Sequence, residues 1–166
     1  MAVVYLSLGS NIGDRLGYVQ QAASLIGGVK DTSIIATSSF YETEPWQMDS
    51  KNWFVNAIVQ ISTELEPEEL LSECLRIESQ LGRKRVEGAG YTDRTIDIDI
   101  LFYNNIIMNT KTLVIPHKFF HKRACLLVPM LEIAQDFVHP LLKKSVMELY
   151  DELENPEQVF LYGTRI

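Results

Sequence analysis

Between Thr95 and Tyr103 the chain alternates with a period of two, with Ile96, Ile98, Ile100 and Phe102 on one parity and Asp97 and Asp99 on the other. A helix would scatter these residues around its circumference, whereas a β-strand gives each set its own face. The stretch therefore reads as a strand that sends its isoleucines and Phe102 into a core and projects both acids from the opposite face. Such a strand needs sheet neighbours and a layer over its apolar face, which points to a sheet packed against helices. The chain has 166 residues, 46% of them hydrophobic. That is enough for one continuous core and too little for two ordinary domains, so residues 1–166 are read as a single domain.

The remaining segments supply the neighbours. Val3 to Leu8 reads as a strand stopped by Gly9-Ser10-Asn11. Leu16, Val19, Ala22, Ala23 and Ile26 recur at helical spacing between Asp14 and Gly27-Gly28. Ile34 to Tyr41 and Phe54 to Ile61 read as strands. The segment between them, Glu42 to Asn52 with Pro45 and Trp46, is long for a hairpin connection and is a candidate binding loop. Pro67 opens a second helix with Glu68 and Glu69 in its first turn, and Leu70, Cys74, Ile77 and Leu81 form its buried stripe up to Gly82. After a basic loop, Arg83 to Asp93, the alternating strand completes the order β-α-β-β-α-β. This is an α+β, ferredoxin-like antiparallel sheet with its helices on one face. Residues 116–131 and 143–153 read as additional C-terminal helices, and Val159 to Tyr162 as a last strand.

The acids carry the chemistry. Two residues along a strand, their Cβ atoms lie about 7 Å apart at a rise of ~3.3 Å per residue. Aspartate is a poor strand former and like charges repel, so a positive partner is expected. Magnesium, a hard cation usually held by one or two protein acids and substrate phosphates, suits the pair, and an acidic solvent face is the alternative. Arg83-Lys84-Arg85 and Arg94 flank the strand, and Glu87-Gly88-Ala89-Gly90 between them reads as the flexible part of a lid. Acids to hold metal and arginines to neutralise phosphate oxygens are the parts of a phosphoryl transfer site.

Other motifs leave alternatives open. Pro116-His117 places an imidazole near this strand, while His117, His121 and Cys125 would share one helical face, a possible zinc site that Lys118, Lys122 and Arg123 oppose. The turn Gly9 to Asp14 has neither the P-loop lysine nor the Rossmann glycine spacing, so it reads as a strand-to-helix turn that lets another group come close. Trp46, Trp53 and Phe54 suit stacking on a flat ring or packing in a core. A formal net charge of −7 opposes nucleic acid as a partner. The absence of a basic leader or a long apolar run argues against export and membrane insertion, giving a cytoplasmic protein. Cys74 and Cys125 read as reduced, packed thiols. A magnesium-dependent transferase and a non-catalytic ligand-binding module both remain possible on these residues alone.

With these landmarks in hand, the chain resembles the 6-hydroxymethyl-7,8-dihydropterin pyrophosphokinase family over nearly its whole length. The resemblance rests on Gly9-Ser10-Asn11, Ser39-Phe40-Tyr41-Glu42-Thr43, Phe54-Val55-Asn56-Ala57, Gly82-Arg83, Arg94-Thr95-Ile96-Asp97-Ile98-Asp99, Pro116-His117 and Glu132-Ile133-Ala134 in that order. It implies an enzyme of folate biosynthesis that transfers diphosphate from ATP, the co-substrate, to the hydroxymethyl group of a reduced pterin. It also implies a monomer whose partners are small molecules, with two Mg2+ ions held by Asp97 and Asp99. Arg83 and Arg94 would join these acids as the catalytic set. Glu78, Arg83, Arg94, Ile100, His117 and Arg123 would contact ATP, and Thr43, Trp46, Phe54, Asn56 and Asp97 the pterin. The chain departs from the family at Cys125, where many members carry an aromatic residue, at Lys118, where a tyrosine is common, and at Tyr91, which replaces a loop tryptophan.

Overall fold

Strand parity fixes what each residue of the sheet can reach. The computed structural model describes residues 1–85, 88 and 92–164. In chain order it contains β1 (Ala2–Ser10), α1 (Arg15–Gly27), β2 (Thr32–Thr37), β3 (Phe40–Thr43), β4 (Phe54–Thr63), α2 (Pro67–Gln80) and β5 (Asp97–Tyr103). The two-residue strands β6 (Met108–Asn109) and β7 (Val114–Ile115) follow, then α3 (Ala124–Ala134), α4 (Val146–Asp151) and β8 (Val159–Gly163). The main sheet runs β5-β1-β4-β3-β8, with β2 also on β4, and its pairings are antiparallel. With β2 and β3 taken as one interrupted strand, the order is the βαββαβ, ferredoxin-like arrangement expected.

Two cores cover the two faces of this sheet. On one, Leu6, Leu8, Ile98 and Ile100 pack with Val19 and Ile26 of α1 and Leu70 and Ile77 of α2. On the other, Tyr5, Ile58, Leu101 and Phe102 pack with Phe120, Leu127, Met130 and Leu149. The C-terminal helices therefore lie opposite the first two. Phe102 departs from the expected parity: opposite β1 the register passes from Leu6–Ile100 to Tyr5–Phe102, so Leu101 is an extra residue and the strand's faces exchange there. Ile96, Ile98 and Ile100 keep the first core, and Phe102 joins the second, against Phe120 at 4.7 Å between ring centres.

Three other segments differ from the expectation. The strand read as Ile34 to Tyr41 is two strands, because Ser38 Oγ accepts the Ile58 N–H at 2.8 Å and donates to the Ser39 carbonyl at 2.8 Å, breaking the ladder. Ser39 then donates its N–H and hydroxyl to Glu132 of α3, at 2.8 and 2.7 Å. The 116–131 segment is helical only from Ala124, after a cis Ile115–Pro116 bond and a 3-10 turn at Phe120–Lys122. The last helix starts at Val146, where Ser145 and Glu148 form a capping box. Both cysteines are buried free thiols, and no helix among the described residues is long and apolar enough to cross a membrane.

Candidate active site

Sheet register lays the site out in a row. Gly9 of β1 pairs with Asp97 of β5 on one side and with Asn56 of β4 on the other. The next row joins Asp99, Ser7 and Ile58. Asp97, Asp99, Gly9, Ser7, Phe54 and Asn56 all line one cavity of about 340 Å³, beside the first turn of α3. Gly9 keeps the row open: a Cβ there would collide with Asn56 Oδ1 and come within 3.5 Å of the Phe54 ring. Asn56 cannot yield easily, since its amide donates to Thr43 Oγ1 in a buried bond. Gly9→Ala is expected to destabilise the protein by about 1–3 kcal/mol, the usual range for overpacking. Urea unfolding monitored beside catalytic turnover checks this, and unchanged stability would mean that Asn56 rotates away freely.

A cation ladder ties the acids to α2. Arg83 Nη1 donates to Asp97 Oδ1 at 2.9 Å and to Glu78 Oε2 at 3.0 Å, and Arg94 Nη1 donates to Asp97 Oδ2 at 3.2 Å. Glu78 is 2% exposed and also accepts Arg85 Nη2 at 2.6 Å and the Ile98 N–H at 2.8 Å. Its carboxylate thus fixes both arginines against the edge of β5. Asp99 has no ion pair at salt-bridge distance among the described residues. Burial first, and then the charge of Asp97, push its carboxyl up to about 8.

The opposite wall is built by the turn before α3. His117 anchors to the sheet by donating its N–H to the Leu101 carbonyl at 2.9 Å, and its Nδ1 accepts the Phe119 N–H at 3.2 Å. Burial and the neighbouring Arg123 push the imidazole down to about 4, so it is neutral near pH 7 with its proton on Nε2. Arg123 lies 4.9 Å from the centre of the Trp46 ring, which rests on Phe119 at 5.3 Å. Trp46 is thereby fixed over the cavity from the long 44–53 connection.

Two residues important to this geometry were not legible as such in the sequence. Asn11 Oδ1 accepts the Arg94 N–H at 2.7 Å, and its Nδ2 donates to Asp93 Oδ1 at 2.8 Å and to the Asn52 carbonyl at 3.2 Å. Asp93 also accepts from Ser50 at 2.6 Å and Asn52 Nδ2 at 2.8 Å. Together they latch Ser50 and Asn52 to the Asp93-Arg94 segment that leads into β5. The hydrogen bond from Ser50, ahead of the others, lowers the Asp93 carboxyl below its ordinary range. The Gly9-Ser10-Asn11 motif was the available signal, but its partners lie 41 to 83 residues away.

Of the residues singled out by sequence, Asp97, Asp99, Arg83, Arg94, His117, Arg123, Trp46, Phe54 and Asn56 meet at the cavity. Thr43, Glu78 and Ile100 stand behind it: Thr43 under Asn56, Glu78 under the arginines, and the Ile100 side chain in the core beneath α1 and α2. The zinc alternative fails, because the 3-10 turn denies His117, His121 and Cys125 a common helical face and sends His121 toward His139. No group of metal-binding size that includes them occurs among the described residues. Trp53 is also away from the cavity, stacked on Phe160 at 6.1 Å. The readings of Glu87-Gly88-Ala89-Gly90 as a lid and of Tyr91 as a tryptophan replacement fall outside the described residues, apart from Gly88.

The family model for 7,8-dihydro-6-hydroxymethylpterin-pyrophosphokinase matches residues 5–135, a span that includes every residue of the cavity. The chain belongs to this family. It is 44% identical over 138 residues to the 2-amino-4-hydroxy-6-hydroxymethyldihydropteridine pyrophosphokinase of Methylorubrum extorquens, covering 83% of this chain and 86% of that one. To the enzyme of the same name from Aquifex aeolicus it is 38% identical, covering 92% of each. A solved Plasmodium falciparum HPPK-DHPS chain superposes with a TM-score of 0.73 at 19% identity, over 91% of this chain and 44% of the longer one, which supports the fold. In this pyrophosphokinase the aromatic departure at Cys125 leaves a small buried thiol in the cavity wall beside Leu126.

Proposed function

We propose that this pyrophosphokinase binds ATP and 6-hydroxymethyl-7,8-dihydropterin side by side in the cavity at the Asp97–Gly9–Asn56 row, and transfers the terminal diphosphate of ATP to the pterin hydroxymethyl group. The observation that carries this reading is the row itself, which sets acids and arginines at one end and an amide beside an aromatic ring at the other. The hydroxymethyl oxygen attacks the β-phosphorus, the bond from that phosphorus to the bridging oxygen of the α-phosphate breaks, and AMP departs as the hydroxyl proton is lost. Arg83 and Arg94 neutralise charge on the phosphate oxygens, and His117 offers its Nε2–H as a neutral donor. Asn56, held by Thr43, reads the polar edge of the pterin, while Phe54 stacks on its face.

Asp97 and Asp99 fit magnesium. They offer oxygen ligands only, and the raised Asp99 carboxyl marks a place where a nearby cation would let both acids ionise. Bound there, Mg2+ would polarise the phosphate oxygens and screen their charge. Two ions, a monomeric state and a cytoplasmic location belong to the same reading. Light scattering checks the monomer, and magnesium titration of turnover in a chelator-buffered assay checks the metal requirement.

Nucleotide analysis tests the whole reading. Incubation with Mg-ATP and the reduced pterin should yield AMP in proportion to pterin diphosphate. ADP would indicate a simple kinase, and intact ATP a binding module. Phe54→Ala is expected to weaken pterin binding by about tenfold while changing ATP binding little, because an aromatic stack contributes roughly 1 kcal/mol beyond its buried area. Calorimetry with each ligand checks this, and equal losses would point to general damage at the start of β4.

A further inference from the structure

The segment after α4 lies outside residues 5–135, the span matched to the family, yet it reaches the wall of the site. Glu157, just before β8, is 9% exposed, and its Oε1 accepts the Ala124 N–H at 2.6 Å. Ala124 begins α3, and Arg123 is the residue immediately before it. Among the described residues, Glu157 Oε2 and Arg123 Nε are buried without a hydrogen-bond partner. Orphaned buried atoms on two groups of opposite charge call for an explanation, because leaving such atoms unpaired is costly.

Charge supplies it. Burial of Arg123 is offset by the acidic groups around it, Cys125 and Asp99 ahead of Glu157 and Asp97; the two aspartates share the cavity with it, and the Cys125 thiol neighbours both Arg123 and Glu157. We propose that Glu157 is a positioning residue for Arg123, holding the guanidinium by charge so that its N–H groups in the cavity stay directed at the phosphates of the nucleotide. Without Glu157 to oppose it, the pull of Asp99, which has no ion pair among the described residues, draws the guanidinium toward β5 and away from the substrate. This inference rests on the reading of Arg123 as a phosphate contact.

A thermodynamic cycle tests it. Glu157→Gln keeps an oxygen for the Ala124 N–H but removes the charge. Titrated with a non-hydrolysable ATP analogue and Mg2+, it should bind about five- to tenfold more weakly than the wild type. In an Arg123→Met background the same change should alter Kd by less than about twofold. Glu132→Gln, which loosens α3 from Ser39 and from Tyr41 of β3, serves as the control and should lower Tm without weakening nucleotide binding. The inference is overturned if Glu157→Gln weakens binding equally in both backgrounds, if Glu132→Gln weakens it as much, or if Glu157→Gln moves only Tm. Arg123→Met binding the analogue as tightly as the wild type overturns the underlying phosphate reading as well, which distinguishes the two failures.

Discussion

Asp99→Asn should reduce turnover by at least about 100-fold, because it removes a charged oxygen ligand from the proposed metal pair and with it several kcal/mol of transition-state stabilisation. The same substitution should stabilise the metal-free protein. Burial and Asp97 raise the Asp99 carboxyl to about 8 in the folded state, above the ordinary carboxylate value near 4. Stability linked to this group is fully present below about pH 4 and is lost as pH rises to about 8. The melting-temperature difference between Asp99→Asn and the wild type in chelator should therefore widen from pH 5 to pH 8. Asp97→Ala should be as inactive but less stable, since Asp97 is the shared counter-charge of Arg83 and Arg94. Steady-state kinetics and thermal melts check these outcomes. An Asp99→Asn enzyme that keeps a tenth of its turnover would remove the residue from the metal site.

Arg83→Ala should lower kcat by about 100-fold or more while raising the nucleotide Kd only severalfold, because charge builds on the phosphate oxygens in the transition state. Stability should fall as well. Arg83 spans Glu78 and Asp97 at 3.0 and 2.9 Å, and Glu78 is almost fully buried. Removing the guanidinium leaves that carboxylate with Arg85, largely exposed, and the Ile98 N–H. A loss of about 3 kcal/mol is expected, as for breaking one partner of a buried ion pair. Arg83→Ala combined with Glu78→Gln should recover part of the stability and none of the turnover. Chemical denaturation and single-turnover kinetics separate the two effects, and a parallel recovery of both would make Arg83 a structural residue only.

Much of this was legible along the chain. The alternation from Thr95 to Ile100 specified a strand, an apolar face and a pair of acids on the other face, and all three hold in β5 and the segment entering it. Pro67, Glu68 and Glu69 marked the start of α2, and the βαββαβ order marked the sheet. These are local signals, set by side-chain parity and helix-end chemistry within a few residues. Phe102 and the Ser38-Ser39 break were misjudged because a bulge depends on the partner strand, whose identity no local period records.

The site shows the same division more sharply. Residue types along the sequence determined that acids, arginines, an imidazole and aromatics were present in a family-specific order. Only the tertiary structure decided that Glu78 faces Arg83 instead of the cavity, that Trp53 turns away while Trp46 stays, and that Glu157 reaches the first turn of α3. The reason is physical: charge and hydrogen bonding act through space over a few ångströms, and the pairs that matter here are brought within that range by sheet register and helix packing. Gly9 against Asn56 is the plainest case. Its small size is written in the sequence, but the need for it exists only once β1 lies beside β4.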